Sequence, residues 1–227
     1  MLRILPLFLL LPLAGMAVFA QSATPGTIQA TGTATVNAKP DQVQLDVTVI
    51  TQGSTAALAG QANATQTNAM IASLQKVLGT SGTIETVGYS LYPRYSTTTG
   101  QSSTIIGYTA QNTVRATSFD LSLAGSLIDT ANQGGAGSVG GLTFGLQDPE
   151  PTHLQALTLA AKQAQAHATA MAAGVGAKTG SVLSAVEGSA NSVVPIYAAG
   201  GASSSTPVVS GTVSVSATVT ITVQLLQ

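Results

Sequence analysis

The sequence contains no cysteine, no tryptophan and few charged residues. Charged side chains occupy 7% of its 227 positions, against about 25% in an ordinary soluble domain. Without cysteine the chain can form no disulfide bond and no zinc–cysteine site, and it has no cysteine nucleophile. Its seven basic and eight acidic residues nearly cancel. The chain therefore lacks the basic surface by which proteins bind nucleic acid, and we expect no nucleic-acid partner.

The first twenty residues have the features of a secretory signal peptide. Arg3 precedes an apolar run over residues 4–13, and Val18 and Ala20 fit the specificity of the signal peptidase. We therefore expect cleavage after Ala20 and export of the mature chain. An uncleaved anchor is the alternative, but the run is shorter than the ~20 residues of a spanning helix. No later segment is long and apolar enough to span a membrane, so we expect no transmembrane helix after cleavage.

Apolar periodicity predicts an α+β fold for the rest of the chain. Two-residue alternation predicts strands, most clearly at 42–49 and 213–225, and helical periodicity predicts two long helices. The predicted helices cover residues 54–78, 122–131 and 151–173, and the other strands cover residues 28–36, 84–95, 105–117, 139–146 and 180–186. We expect a mainly antiparallel sheet with the two long helices packed on one face, plus a short third helix. Residues 21–26 would form an N-terminal tail and residues 27–227 one domain.

The periodicity also predicts which side of each long helix faces the sheet. In the first helix these residues are Leu58, Ala62, Ala69, Ile71, Leu74, Val77 and Leu78. In the second they are Leu154, Leu157, Ala161, Ala164, Ala168 and Met171. Two polar segments, residues 96–104 and 188–210, are predicted to be loops. The second is long for a compact domain, so it is either functional or disordered.

No motif in the sequence assembles a catalytic, cofactor or metal site. Residues 135–140 have the spelling of a dinucleotide fingerprint, but a predicted helix precedes them and a strand follows, the reverse of the real motif. His153 and His167 lie ~21 Å apart on one predicted helix and cannot bind one metal together. No Gly-x-Ser-x-Gly elbow is present. We predict a non-enzymatic protein without cofactor or metal, although convergence of distant residues leaves a hydrolase open.

Asp148 and Glu150 form a closely spaced carboxylate pair at the predicted start of the second long helix. Acidic residues and proline are favoured there, because the first amides of a helix are unpaired and its dipole is positive at that end. The pair therefore predicts a helix start. Acid–base catalysis and calcium binding are the alternative interpretations.

Three of the five tyrosines lie within residues 89–95, beside an arginine. Tyrosine and arginine are enriched at protein interfaces, so the cluster indicates an interface, with ordinary strand packing as the alternative. The edges of a predicted strand pair would also offer unpaired backbone groups to a second copy. The candidate oligomer interface comprises Tyr89, Leu91, Tyr92, Tyr95, Ile106 and Tyr108.

Five segments carry a family resemblance through their order and spacing. They are residues 30–41 (ATGTATVNAKPD), 91–95 (LYPRY), 106–112 (IGYTAQN), 142–149 (LTFGLQDP) and 213–219 (VSVSATV). Together they resemble the SIMPL domain family, long catalogued as a domain of unknown function, over about residues 27–226. The resemblance implies an α+β domain, a periplasmic or outer-membrane location and, in some members, large rings. Bacterial relatives are envelope antigens or are linked to oxidative-stress tolerance, and animal relatives are signalling adaptors; the family supplies no catalytic residues.

Together these features predict an exported cell-envelope protein that acts as a non-enzymatic homo-oligomer in a structural or stress-related role. Its expected partners are further copies of itself, with envelope proteins or the cell wall as other candidates. A second hypothesis is an extracytoplasmic binding module that presents loops 96–104 and 188–210 to a sugar, peptide or cell-wall ligand. A third, an outer-membrane barrel, fits the alternating strands but not the two long helices.

Overall fold

The computed structural model of the chain describes residues 26–96, 103–188, 192–196, 206 and 208–227. The predicted signal peptide, most of the first predicted loop and much of the second lie outside these residues. The strands are β1 (Thr27–Ala38), β2 (Gln42–Gly53), β3 (Gly82–Tyr95), β4 (Ile105–Ser118), β5 (Ser138–Gly145), β6 (Lys178–Glu187), β7 (Ser192–Ile196) and β8 (Thr212–Leu226). The helices are α1 (Ala56–Leu78), α2 (Ala124–Gln133) and α3 (Glu150–Gly174), with one 3-10 turn at Leu121–Leu123.

The described strands form two antiparallel sheets of four strands each. Sheet A has the order β1-β8-β6, and β7 also pairs with β8. Sheet B has the order β3-β4-β2-β5. In sheet A, β1 pairs with β8 along one edge of that strand, from Thr27↔Gln224 to Ala38↔Val213. On the other side, β6 and β7 pair with successive stretches of the same strand.

The predicted α+β class is confirmed, but the prediction that both long helices share one face is wrong. α1 and α2 pack on sheet B, whereas α3 packs on sheet A. The cause is a long-range pairing, because β1 pairs with β8 and not with its chain neighbour β2. Each of the two resulting sheets then has its own apolar face to cover. Alternation identifies the buried face of a strand but not the strand beside it.

The second predicted loop contains a strand that the sequence pattern did not indicate. β7 pairs with the N-terminal part of β8, from Ser192↔Ser216 to Ile196↔Thr212. It also lies beside β5 of sheet B. The segment is short, and it contains a proline that a strand tolerates mainly at an edge, so local periodicity is a weak signal for it.

α1 covers sheet B with a stripe that differs from the predicted one. Its buried residues are Ala59, Asn63, Thr67, Met70, Leu74 and Leu78, whereas Leu58 is exposed. Asn63 is fully buried, and its Nδ2 donates hydrogen bonds to the carbonyl oxygens of Val49 (3.0 Å) and Ala110 (3.2 Å). These bonds explain how a polar residue occupies a core position, because they satisfy the buried amide.

α3 contacts sheet A through alanines spaced four residues apart. Its buried residues are Ala156, Ala160, Ala164, Ala168 and Ala172, whereas the predicted inner residues Leu154 and Met171 are exposed. At Gly32 of β1 the two backbones nearly touch, since a Cβ there would overlap the carbonyl oxygen of Ala160. Small side chains on both elements therefore set the close approach, and among the larger apolar residues of α3 only the partly buried Leu157 packs against this core.

Candidate self-association surface

The six residues of the candidate interface all lie on the hairpin formed by β3 and β4. β3 is an outer strand of sheet B, and it is exposed along most of its length. Tyr89 is 58% exposed and Ile106 57% exposed, while Tyr108 is half-buried. Leu91, Tyr92 and Tyr95 are exposed as well. The hairpin thus presents a concentration of aromatic and aliphatic side chains to solvent.

The tip of the hairpin projects beyond the rest of sheet B. β2 pairs with β4 as far as Gly53↔Tyr108. The β3–β4 pairing continues past that point to Tyr95↔Ile105, and the amide of Ser96 donates to the carbonyl of Thr104 at 2.9 Å. A two-stranded ribbon by itself is marginally stable in water. Contact with another surface would therefore stabilise the tip.

The register divides the hairpin residues between the two faces of the sheet. Tyr89 and Leu91 lie opposite Asn112 and Ala110, on the face that α1 covers. Tyr92 lies opposite Thr109 on the other face. The six residues are therefore not one flat patch. They surround the outer strand on both faces and at its end.

Tyr89 extends the exposed surface towards the start of α1. A Cβ at Gly60 would lie 3.4 Å from the hydroxyl oxygen of Tyr89, so the phenol lies against that turn of the helix. Leu58, two residues before Gly60 and about half a helical turn away, is 52% exposed. Sequence periodicity placed Leu58 in the core, and that prediction is wrong.

Charged groups on the hairpin are few and well separated. Arg94 donates a hydrogen bond to Oε1 of Gln52, and it forms no salt bridge with any described residue. Further along β4, Arg115 binds Asp46 through two hydrogen bonds of 2.7 and 2.9 Å. The hydrogen bond to Asp46 raises the pKa of the Arg115 guanidinium, and the charges of Asp46 and Glu85 act in the same direction. Of the two hairpin arginines, Arg115 is thus paired with a carboxylate, whereas Arg94 is held by the side-chain amide oxygen of Gln52.

The outer edge of β3 is partly blunted. A bulge separates Thr86 from Gly88 in the pairing with β4, and Pro93 lies near the end of the strand. Bulges and proline limit the addition of another strand to an edge. Side-chain contacts would therefore contribute more than backbone hydrogen bonds to any association through this strand.

Comparison with protein families finds one matching family model. The family model SIMPL, described as "Protein of unknown function (DUF541)", matches residues 28–223. The chain belongs to the SIMPL family. The match spans β1 to nearly the end of β8, so it includes both sheets and all three helices. No curated protein matched the chain in the corresponding search.

The two histidines of this SIMPL chain lie on α3, as predicted, but they contact different elements. Nε2 of His153 lies 2.8 Å from Oε1 of Glu187 at the end of β6. Nδ1 of His167 lies 2.9 Å from the carbonyl oxygen of Thr31 in β1. Glu150 is close to His153 in the sequence, but the carboxylate that His153 contacts is Glu187, which becomes its neighbour through folding alone. The two imidazoles thus join α3 to the strands on either side of β8, β6 and β1.

Asp148 and Asp41 each accept a backbone hydrogen bond near the start of α3. Oδ1 of Asp148 accepts a hydrogen bond from the amide of Glu150 at 3.0 Å, so the pair starts α3 as predicted. Oδ1 of Asp41 accepts from the amide of Gln147 at 2.7 Å. Gly135 has a φ of +74° in the turn between α2 and β5, a backbone conformation that suits glycine.

The face of sheet A that points away from α3 carries an uncharged ladder of side chains. Hydroxyl groups pair across β1 and β8 at 2.8–3.1 Å: Thr31 with Thr220, Thr33 with Thr218, and Thr35 with Ser216. These hydrogen bonds satisfy much of the polar face within the sheet. Neighbouring strands therefore hold each other through side chains as well as through backbone bonds.

The described part of the SIMPL chain has neither a metal-binding cluster nor a membrane-spanning helix. Among the described residues there is no group of three or more His, Cys, Asp and Glu side chains that could hold a metal ion. No described helix is both long enough and apolar enough to cross a membrane.

Proposed function

We propose that the protein is exported to the bacterial cell envelope and acts there as a non-enzymatic homo-oligomer with a structural or stress-related role. The observation that carries the proposal is the exposed apolar hairpin of β3 and β4. Large exposed apolar patches on soluble proteins mark interaction sites. Among the described residues, the hairpin brings Tyr89, Leu91, Tyr92, Tyr95 and Ile106 to the surface of one structural unit.

The chemistry of the hairpin favours a protein partner. Tyrosine side chains carry a large apolar area at a low entropic cost, and aromatic anchors contribute ~2 kcal/mol or more at interface centres. A second copy of the chain supplies the same aromatic and aliphatic groups and the same low charge. Self-association therefore covers the ribbon without a separate partner.

The export and non-enzymatic parts of the proposal have separate support. Export is supported by the predicted signal peptide with its cleavage position after Ala20. A non-enzymatic role is supported by the contacts of the two histidines, since His153 contacts Glu187 and His167 contacts the backbone of Thr31. Both imidazoles thus make contacts that join α3 to sheet A in the described fold.

The proposal is tested by the mass of the purified protein in solution. Light scattering coupled to size exclusion should give a mass that is a multiple of the chain mass at micromolar concentration. A strict monomer at high micromolar concentration would contradict the proposed function. Fractionation of cells that express the full chain tests export separately, and recovery of uncleaved protein from the cytoplasm would contradict that part.

A further inference from the structure

The outer strands of the two sheets differ in how well their free edges are protected. β1 is closed by two side chains of α3, Gln163 and His167. β5 lies beside β7, and the edge of β3 is blunted by a bulge and by Pro93. β6 pairs with β8 along one edge, and no described strand pairs with its other edge. The outer edge of β6 is therefore accessible to another chain.

Bulges divide β6 into an irregular part and a regular part. The pairing with β8 is interrupted twice between residues 179 and 184. From residue 184 onwards it is regular, and it ends with a hydrogen bond of 2.8 Å from the amide of Gly188 to the carbonyl of Thr218. Bulges hinder the addition of a strand to an edge. Residues 184–188 are therefore the part of β6 that a second strand can join.

The register shows which backbone groups of this regular part are free. In an antiparallel pair, alternate residues direct both of their backbone groups towards the same neighbouring strand. Gly188 bonds to β8, so Val186 does so as well, and Ala185 and Glu187 direct their amides and carbonyls to the open edge. This edge is self-complementary about residue 186, because a second copy that runs in the opposite direction offers the same groups in reverse order.

We propose that β6 of one copy pairs with β6 of a second copy in antiparallel orientation, about a two-fold axis beside Val186. Ala185 of each copy exchanges hydrogen bonds with Glu187 of the other, and sheet A continues across both copies. The contact is isologous, since both copies use the same surface. It rests on the self-association proposed above, and it adds a second contact surface to the hairpin of β3 and β4.

Val186 is the side chain that this pairing covers most directly. It lies opposite Thr220, on the face of sheet A that points away from α3, and it is 60% exposed. The two-fold axis makes the two Val186 residues a non-hydrogen-bonded pair, in which the Cα atoms lie about 4.5 Å apart. A cross-strand pair of β-branched side chains stabilises a sheet, so the contact covers an apolar group that is open to solvent in the single chain.

On the other face of the sheet, the pairing brings two apolar grooves together. α3 packs mainly on β1 and β8, so the side of β6 that faces the helix layer stays open. A shallow groove of about 300 Å³ lies there, lined by Leu157, Ala161, Ala185, Val186, Glu187 and Val219. The two-fold axis places the grooves of both copies side by side. Apolar side chains on both faces of the joined strands thus add to the backbone hydrogen bonds.

The one charged residue of the regular part does not block the pairing. Glu187 lies opposite the buried Val219, so its side chain is on the face that α3 covers. Nε2 of His153 contacts its carboxylate at 2.8 Å. The carboxylate is therefore directed towards the helix, away from the edge that the second strand joins.

Cysteine cross-linking tests the pairing, because the native chain has no cysteine. Val186→Cys should give a disulfide-linked dimer after oxidation with copper phenanthroline, seen on a non-reducing gel, since Cα atoms about 4.5 Å apart suit a disulfide. Val182→Cys is the matched control, because Val182 is 46% exposed on the same strand. The axis separates the two copies of residue 182 by about eight strand steps, roughly 26 Å, so this variant should give no dimer.

A charge at the axis gives a second test in solution. Val186→Asp places two carboxylates against each other, and like charges at an interface weaken association strongly. We expect this variant to self-associate about tenfold more weakly than the wild type, as measured by sedimentation velocity. Val175→Asp is the control, because Val175 is 70% exposed and lies outside the described strands, and it should assemble like the wild type. Circular dichroism checks that every variant is folded.

The outcomes separate the β6 pairing from the proposed function. The pairing is wrong if Val186→Cys gives no more dimer than Val182→Cys, or if Val186→Asp assembles like the wild type. In either case, assembly of the wild-type chain still upholds self-association through another surface. A monomeric wild-type chain would overturn both the pairing and the proposed function.

Discussion

Nδ1 of His167 lies 2.9 Å from the carbonyl oxygen of Thr31, and this contact closes the outer edge of β1. One helical turn earlier, Oε1 of Gln163 accepts a hydrogen bond of 2.7 Å from the amide of Thr33. Two side chains of α3 thus occupy the positions that a neighbouring strand would take. A long uncharged edge strand is otherwise a template for pairing with other chains.

Removing these two side chains should open the edge. We expect Gln163→Ala with His167→Ala to lower the free energy of unfolding by about 0.5–1.5 kcal/mol for each lost hydrogen bond. We also expect faster aggregation on heating, measured by light scattering. Gln165→Ala is the control, since Gln165 is exposed on the same helix, and it should change neither quantity. Equal aggregation of the double variant and the control would contradict this role of α3.

The close approach at Gly32 makes a second prediction. A Cβ on this residue would overlap the carbonyl oxygen of Ala160 and lie 2.5 Å from the amide nitrogen of Ala164. Gly32→Ala should therefore push α3 away from β1 and destabilise the protein by ~1–3 kcal/mol or more. Chemical denaturation measures the change. Gly88→Ala, where nothing lies within 4 Å of the new Cβ, should be nearly neutral, and similar losses in both variants would contradict the packing argument.

The exposed tyrosines of the hairpin make a third prediction. Tyr92→Ala with Tyr95→Ala should lower the association state and leave the fold intact, because aromatic anchors contribute ~2 kcal/mol or more each at such contacts. Sedimentation velocity measures association, and circular dichroism measures folding. Leu154→Ala with Leu159→Ala removes two similarly exposed apolar side chains from α3, and it should assemble normally. If both measurements match the wild type in the tyrosine variant, the hairpin is not the interface.

Asp120 provides a prediction about pH. Its Oδ1 accepts hydrogen bonds from the hydroxyl (2.7 Å) and amide (3.0 Å) of Ser122 at the turn before α2, and these bonds lower the pKa of the Asp120 carboxyl. Because the folded pKa lies below the unfolded value of ~3.9, the stabilisation is present above that value and is lost as the pH falls through the folded pKa.

Thermal unfolding across pH tests this assignment. Asp120→Ala should be less stable than the wild type near neutral pH, and the difference should shrink below about pH 4. Asp120→Asn keeps an acceptor oxygen without a titrating group. It should therefore be more stable than Asp120→Ala near neutral pH but less stable than the wild type, because its hydrogen bonds to Ser122 lack the carboxylate charge. A difference between Asp120→Ala and the wild type that does not vary with pH would rule out the ionised cap.

The candidate surface was predictable from the sequence in part. Local composition located the tyrosine cluster, and alternation located the two strands that carry it. The sequence did not predict which face of the sheet each of those side chains occupies. The bulge between Thr86 and Gly88 shifts the alternation by one residue, so side chains before and after it exchange faces. The exposure of Leu58 was missed for another reason. Exposure there depends on which elements pack nearby, and local periodicity contains no such information.

The sequence by itself determined most elements of this protein, with β7 as the exception. Alternation in β2 and β8, helical periodicity and glycine turns act over a few neighbouring positions, so they indicate strands, helices and turns without reference to a partner segment. The tertiary structure decided how those elements meet: β1 pairs with β8, α1 and α3 cover different sheets, and Gln163 and His167 close the edge of a strand that is distant in the sequence. Those choices depend on packing between distant segments, where small residues such as Gly32 permit approaches that no local pattern specifies.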